Sequence, residues 1–236
     1  MSKKDKNKVK QKSGFFSVFY FLFAWIVGLI FRIKVVDRQN EPDEGGFVVC
    51  ANHISATDPI MICYAFKKHQ IRYMAKKELF KIPILRGFFR SLGAFPVDRG
   101  GNDVGAIKTA IKEVAEGRCV GIFPQGHRYP GEDPRATKTK NGAALIATKA
   151  EADVVPAYIW RKNRAGGVFR RTYVIIGEKI DFASLGYQPE ENGEYSRITD
   201  VIFDKVCTLG EDFSPEKYKQ AKKAAKKAKK AKKASK

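Results

Sequence analysis

Across residues 32–212, short apolar runs alternate with longer stretches of helical spacing, a pattern that few architectures accommodate. Strands are expected at 32–36, 47–51, 71–75, 94–97, 119–123, 153–160 and 172–180. Helices are expected at 59–68, 83–91, 103–116, 141–150 and 195–208. Runs such as Val48-Val49-Cys50 are apolar at consecutive positions, so both faces of such a strand need cover. Strand–helix alternation of this kind specifies an α/β domain: a mostly parallel or mixed sheet with helices laid over it. A chain of 236 residues without an internal repeat is the size of one such domain with short extensions.

The extensions carry most of the charge. The net charge is +20, but residues 1–12 contribute +5 and residues 217–236, nearly pure Lys and Ala, contribute +11. The body is left at +4, which weakens any reading of it as a nucleic-acid binder, and no specific nucleic-acid partner is expected. Residues 213–236 read as a basic tail. Ala and Lys favour helix, yet lysine repulsion is expected to keep the tail disordered in water. Near an anionic membrane each lysine contributes about 1 kcal/mol, enough in number to reinforce a hydrophobic anchor.

Such an anchor is expected at residues 14–31, after a basic tail at 1–13. The stretch GFFSVFYFLFAWIVGLIF is uncharged and holds eight aromatic residues. As a helix it is about 27 Å long, at the short limit for a bilayer crossing. No small-residue cleavage site follows, which argues against a signal peptide. Lysines precede it and Arg32, Lys34 and Arg38 follow it, so neither flank favours translocation. The expectation is a membrane-anchoring helix in the cytoplasmic leaflet, with a single span as the alternative. Four cysteines without paired spacing read as reduced, buried thiols, in keeping with a cytosolic face.

Several chemistries drop out. There is no GxSxG elbow and no GxGxxG, and the glycines of Gly121–Gly126 are followed by His127-Arg128 where a nucleotide loop needs Lys and Ser or Thr. The three histidines lie too far apart in sequence for a zinc-site spacing, and no metal or cofactor is expected.

What stands out is Asn52-His53-Ile54-Ser55-Ala56-Thr57-Asp58-Pro59, directly after the FVVCA strand. Asp58 followed by Pro59 reads as a helix start, Asp at the N-cap and Pro at the first helical position. His53 falls at the carboxyl end of a strand, where α/β sheets place their ligand sites. Across the turn the Asp58 carboxylate can reach a ring nitrogen, fixing its tautomer and raising its basicity, although each residue alone has an ordinary structural reading. Arg99 and Arg128 each follow a strand-like stretch and a Phe-Pro pair, with two and three residues intervening. If the three strands share one direction, His53, Asp58 and two guanidiniums meet at one sheet edge, and arginine forks suit phosphate.

His53-x₄-Asp58, Phe95-Pro-Val-Asp98-Arg99, Phe123-Pro-Gln125-Gly126-His-Arg128 and Val155-Pro156 together resemble the four ordered motifs of the glycerolipid acyltransferases, nearest to the 1-acylglycerol-3-phosphate O-acyltransferases. The resemblance covers residues 32–180. It implies acyl transfer from acyl-CoA or acyl-carrier protein to the free hydroxyl of lysophosphatidic acid, with His53 as general base supported by Asp58. It also implies substrate contacts from Asn52, Arg99, Gln125, Gly126, Arg128 and Pro156, with neither metal nor acyl-enzyme. The third motif departs from the family's Phe-Pro-Glu-Gly-Thr-Arg at Gln125 and His127, which leaves the acceptor open: the alternatives are acylation of another lysolipid or an amino-lipid, or a non-catalytic basic protein that binds lipid or RNA at a membrane.

Overall fold

The computed structural model describes residues 27–91, 93–97, 104–167 and 169–234. Its strands are β1 (Ile33–Val36), β2 (Val48–Ala51), β3 (Ile71–Arg72), β4 (Met74–Lys76), β5 (Phe95–Val97), β6 (Cys119–Ile122), β7 (Val154–Arg161) and β8 (Thr172–Ile176). Its main helices are α1 (Asp58–Ala65), α2 (Pro83–Ser91), α3 (Val104–Ala115), α4 (Gly142–Lys149), α5 (Glu194–Asp212) and α6 (Pro215–Ala234).

Six strands form a mixed sheet in the order β1-β8-β7-β2-β6-β3, in which β7 and β8 run antiparallel and the other neighbours run parallel. The period-two geometry of a strand explains the two-sided apolar runs. On one face Val48, Cys50, Val120 and Val154 pack under α3, α4 and α5. On the other, Val49, Ala51, Val155 and Ala157 pack under α1, together with Val27 and Phe31 from the N-terminal segment. All four residues of β2 are buried, so the central strand is covered on both sides as its composition requires.

Two expectations need correction, and a third falls largely outside the described residues. The stretch 71–75 is divided at Tyr73: β3 joins β6 in the main sheet, while β4 pairs with β5 in a separate two-stranded sheet. The strand leading to Arg99 therefore lies outside the main sheet, and Arg99 itself is outside the described residues. The basic tail is helical as α6, in keeping with the propensities of Ala and Lys. Its first turn is held by the Ser214 hydroxyl, which accepts the Lys217 N–H at 3.4 Å, and by Tyr218, whose ring packs on Tyr173 and Phe213. Of the expected anchor, residues 14–26 lie outside the described residues. Residues 27–31 are helical, with Val27 and Phe31 buried in the domain core. Among the described residues no helix is long and apolar enough to cross a membrane.

Behind α1 a buried carboxylate fixes the return of the chain. Glu41 accepts the backbone N–H groups of Lys67, Lys68 and His69 at 2.9, 2.6 and 3.1 Å, which secures the turn between α1 and β3. Burial by itself raises this carboxyl, but the His69 ring and the three N–H groups prevail and hold it below its ordinary value of 4.5.

Candidate active site

The register of two parallel strands builds the site. Cys50 of β2 lies opposite Ile122 of β6, so the residues three further on, His53 and Gln125, emerge side by side at the carboxyl edge. There the His53 N–H donates to Gln125 Oε1 at 2.6 Å, and the His53 carbonyl accepts the Tyr129 N–H at 2.9 Å. Both main-chain groups of the histidine are thus held by the segment that follows β6. Its ring stacks on Phe123 with centroids 4.1 Å apart and an interplanar angle of 12°, and Phe123 stacks on Tyr73 at 5.5 Å. The ring can neither rotate freely nor retreat into the core, and its side chain keeps 17% exposure.

Asp58 completes the pair. Its Oδ2 lies 2.9 Å from His53 Nδ1 and also accepts the N–H groups of Ile54 and Ser55 at 2.6 and 2.7 Å. The carboxylate is fully buried. It is not the helix N-cap expected from the sequence: Thr57 holds that position, Asp58 is the first residue of α1, and Pro59 the second. The reason is that the carboxylate folds back onto the preceding turn and closes it, while its charge remains in the first turn, where the helix dipole favours it. An ionised carboxylate can only accept, so the neutral ring carries its proton on Nδ1 and presents the lone pair of Nε2 away from Asp58.

A further residue on this face had no motif to announce it. Arg161, at the end of β7, buries its side chain completely, with Nη1 3.8 Å from Asp58 Oδ1. Its Nε donates to Thr172 Oγ1 at 2.9 Å and its Nη2 to Thr57 Oγ1 at 3.4 Å. Neither Nη1 nor Oδ1 has a hydrogen-bond partner among the described residues, so the two face each other as bare charges. Burial lowers the pKa of this guanidinium, the Asp58 charge opposes that, and Arg170 adds to the lowering. The period-two pattern of β7 was the available signal: Val155, Ala157 and Ile159 face α1, and Arg161 is the next position on that face.

The remaining sequence candidates separate into three groups. Asn52 is buried, with Oδ1 accepting the Ile159 N–H at 2.7 Å and Nδ2 donating to the Ile159 carbonyl at 3.2 Å, so it ties β2 to β7. Gln125 is also buried. It holds His53 with one end and donates to Thr137 Oγ1 at 2.7 Å with the other, so the departure from Glu at this position faces inward. Pro156 lies within β7, buried and opposite Cys50 rather than at the sheet edge. Gly126 and Arg128 are exposed beside His53. Gly126 has φ +68°, and a Cβ there would come within 2.8 Å of Lys140 Cδ, which accounts for glycine at this turn.

A cavity of about 320 Å³ opens on the α5 side of β7, against Asp133, Tyr158, Trp160 and Glu211. Of the site residues only Arg161 borders it, so its volume does not mark the reactive centre. The four cysteines are free and buried, and burial pushes the Cys63 and Cys119 thiols up to about 12, Cys207 to about 11 and Cys50 higher still. None is a nucleophile at neutral pH. Among the described residues no cluster of His, Cys, Asp and Glu could hold a metal ion.

Residues 32–160, from β1 almost to the end of β7, match the acyltransferase family. The chain belongs to that family. It is 36% identical over 186 residues to the 1-acyl-sn-glycerol-3-phosphate acyltransferase of Bacillus subtilis, covering 78% of this chain and 91% of the relative. The protein of the same name from Borreliella burgdorferi is 28% identical over 190 residues, covering 77% of this chain and 72% of that one. Among solved structures it is similar to the 1-acyl-sn-glycerophosphate (LPA) acyltransferase PlsC of Thermotoga maritima, with a TM-score of 0.58 and 25% identity. That likeness covers 83% of this chain and 78% of the other, more of this acyltransferase than the family segment alone.

Proposed function

We propose that this acyltransferase transfers a fatty acyl group from a thioester donor, acyl-CoA or acyl-carrier protein, to the free hydroxyl of lysophosphatidic acid, giving phosphatidic acid. The observation that carries the reading is the 2.9 Å contact between His53 Nδ1 and a buried Asp58 carboxylate, on a ring that keeps 17% exposure. The names of the relatives support the acceptor.

In the reaction, Nε2 of His53 takes the hydroxyl proton as the acceptor oxygen attacks the thioester carbonyl. Asp58 stabilises the imidazolium that forms. The tetrahedral intermediate then collapses with cleavage of the C–S bond, and the imidazolium returns its proton to the departing sulfur. General-base assistance of this kind is worth about 10²–10⁴ in rate, and alignment of the two substrates supplies much of the remainder. Arg128, beside the site, and Arg99 grip the acceptor phosphate as paired forks. Gln125 faces inward, so its replacement of the family's Glu bears on how His53 is held rather than on which headgroup is accepted. Asn52 acts by fastening β2 to β7, and Pro156 by shaping β7 behind the site. The apolar segment 14–31 and the lysines of α6 attach the enzyme to the cytoplasmic face of an anionic membrane, where its acceptor resides.

The test is product analysis by mass with purified protein, a set of lysolipids and both thioester donors. Phosphatidic acid is expected as the main product. His53→Ala is expected to lower turnover by about 10²–10⁴ while leaving the thermal unfolding transition in place. A folded His53→Ala protein with near-full turnover would overturn the assignment of the base.

A further inference from the structure

One loop joins the catalytic turn to the N-terminal segment, and its surface is unlike the rest of the body. It leaves β7 through Asn163 and Arg164 and returns to β8 at Thr172. At its near end, a Cβ on Gly166 would come within 2.9 Å of Ser55 Oγ, so the strap lies directly against the turn between His53 and Asp58. At its far end, the Phe169 N–H donates to the Ile30 carbonyl at 2.7 Å. Phe169 has φ +59°, a backbone conformation that bulky residues rarely adopt, and its ring is 68% exposed. Leu29, the residue before Ile30, is 64% exposed. Arg32, Lys34, Arg170 and Arg171 are exposed around them, and residues 27–36 and 162–176 contain no acid.

We propose that the strap residues 165–167 and 169–171, together with the end of the N-terminal helix, dock on an anionic lipid surface, with Phe169 and Leu29 entering the headgroup boundary and the four cations meeting lipid phosphates. The chemistry selects this occupant. Apolar side chains ringed by cations, with no acid among them, complement a leaflet that is apolar within and negative at its surface. A second copy meeting this face with the same face would set its four cations against their like. The strap also fixes where the membrane lies: one edge of it borders Ser55, so the docked face adjoins His53, and a lysolipid can reach the base with its tail still in the leaflet. This deepens the acyl-transfer reading, and only the kinetic arm of its test rests on that reading.

The cysteines of the wild-type chain are all buried, so Phe169→Cys can be labelled at one place with an environment-sensitive dye on the full-length protein. Vesicles of phosphatidylcholine with phosphatidylglycerol should shift its emission to the blue, and nitroxide-bearing lipid should quench it. Vesicles of phosphatidylcholine alone should do neither. A dye that stays in water while the protein sediments with the anionic vesicles would overturn the proposal, because attachment would then run through other segments. A blue shift that grows with protein concentration in the absence of lipid would overturn it in favour of self-association. In the kinetic arm, Phe169→Ser should raise KM for vesicle-borne lysophosphatidic acid about fivefold, leaving kcat and the KM of a short-chain, water-soluble acceptor unchanged. Equal losses on both acceptors would assign the strap to folding of the site and refute the docking role. A wild-type protein that acylates neither acceptor would fail the acyl-transfer reading while leaving the dye result to stand.

Discussion

Replacing Arg161 by methionine takes one charge out of a buried pair and strands the other. Nη1 stands 3.8 Å from Asp58 Oδ1, with both side chains inaccessible to solvent. At an effective dielectric constant of about 20, that separation corresponds to about 4 kcal/mol of attraction. Most of it offsets the desolvation of two ions, so the pair adds little net stability. Removing one partner, however, leaves the desolvation of the other uncompensated, at about 3–5 kcal/mol. Asp58→Asn attacks the pair from the other end. The amide oxygen must take the place of Oδ2 to accept from Ile54 and Ser55, which turns the NH₂ toward Arg161, donor against donor. Each single variant should therefore lose about 3 kcal/mol, while the double variant, with no stranded charge, should be no less stable than either, a coupling of about 2–3 kcal/mol. Urea unfolding of the four proteins measures that coupling. Turnover gives an independent reading: Arg161→Met should lower kcat with little change in KM, because the guanidinium acts on Asp58 and not on a substrate. In the Asp58→Asn background it should have little further effect. Stability losses that simply add would refute the pairing, and with it the role of Arg161 in holding Asp58.

Gln125→Leu should lower kcat at least tenfold, because the half-buried N–H of His53 loses its acceptor at a cost of about 1–2 kcal/mol. Gln125→Glu, which keeps an acceptor there, should recover most of that turnover, and equal losses from the two would remove the brace argument. Gly126→Ala should destabilise the fold by about 1–2 kcal/mol, since φ is +68° and Lys140 must shift, a change read from the thermal midpoint. The Glu41 carboxyl is held below 4.5 in the folded chain, so its stabilisation is complete above that value and disappears as pH falls through the lower folded value. Glu41→Gln should accordingly be less stable at neutral pH and should flatten the dependence of unfolding free energy on pH as pH falls below 4.5. An unchanged slope would show that other carboxylates govern acid unfolding.

How much of this was readable in advance depends on how far each signal is local. The FVVCA run and the His53–Asp58 spacing are adjacent residues whose chemistry is complete within a few positions, and the strand–helix pattern is read from spacing that is equally local. The Asp58 cap failed for a subtler reason. Asp before Pro is a sound helix-start signal, but the same carboxylate had better donors behind it, in Ile54, Ser55 and His53, than in its own helix. Tyr73 likewise broke one apparent strand into two sheets, a choice made by distant partners on β6 and β5.

Arg161 shows where sequence reading could have gone further. In Trp160-Arg161-Lys162-Asn163-Arg164 it looks like one more cation at a polar strand end. Period two says otherwise, because Val155, Ala157 and Ile159 define the face beneath α1 and Arg161 continues it inward. An arginine inherited by a buried face must meet a carboxylate, since an unpaired buried charge costs several kcal/mol. Asp58 opens α1, the helix laid over that face, so the strand pattern of β7 alone directs Arg161 toward the carboxylate that holds His53. The pairing was therefore implicit in two periodicities more than 100 residues apart, and what the sequence could not supply was the register that brings them to 3.8 Å.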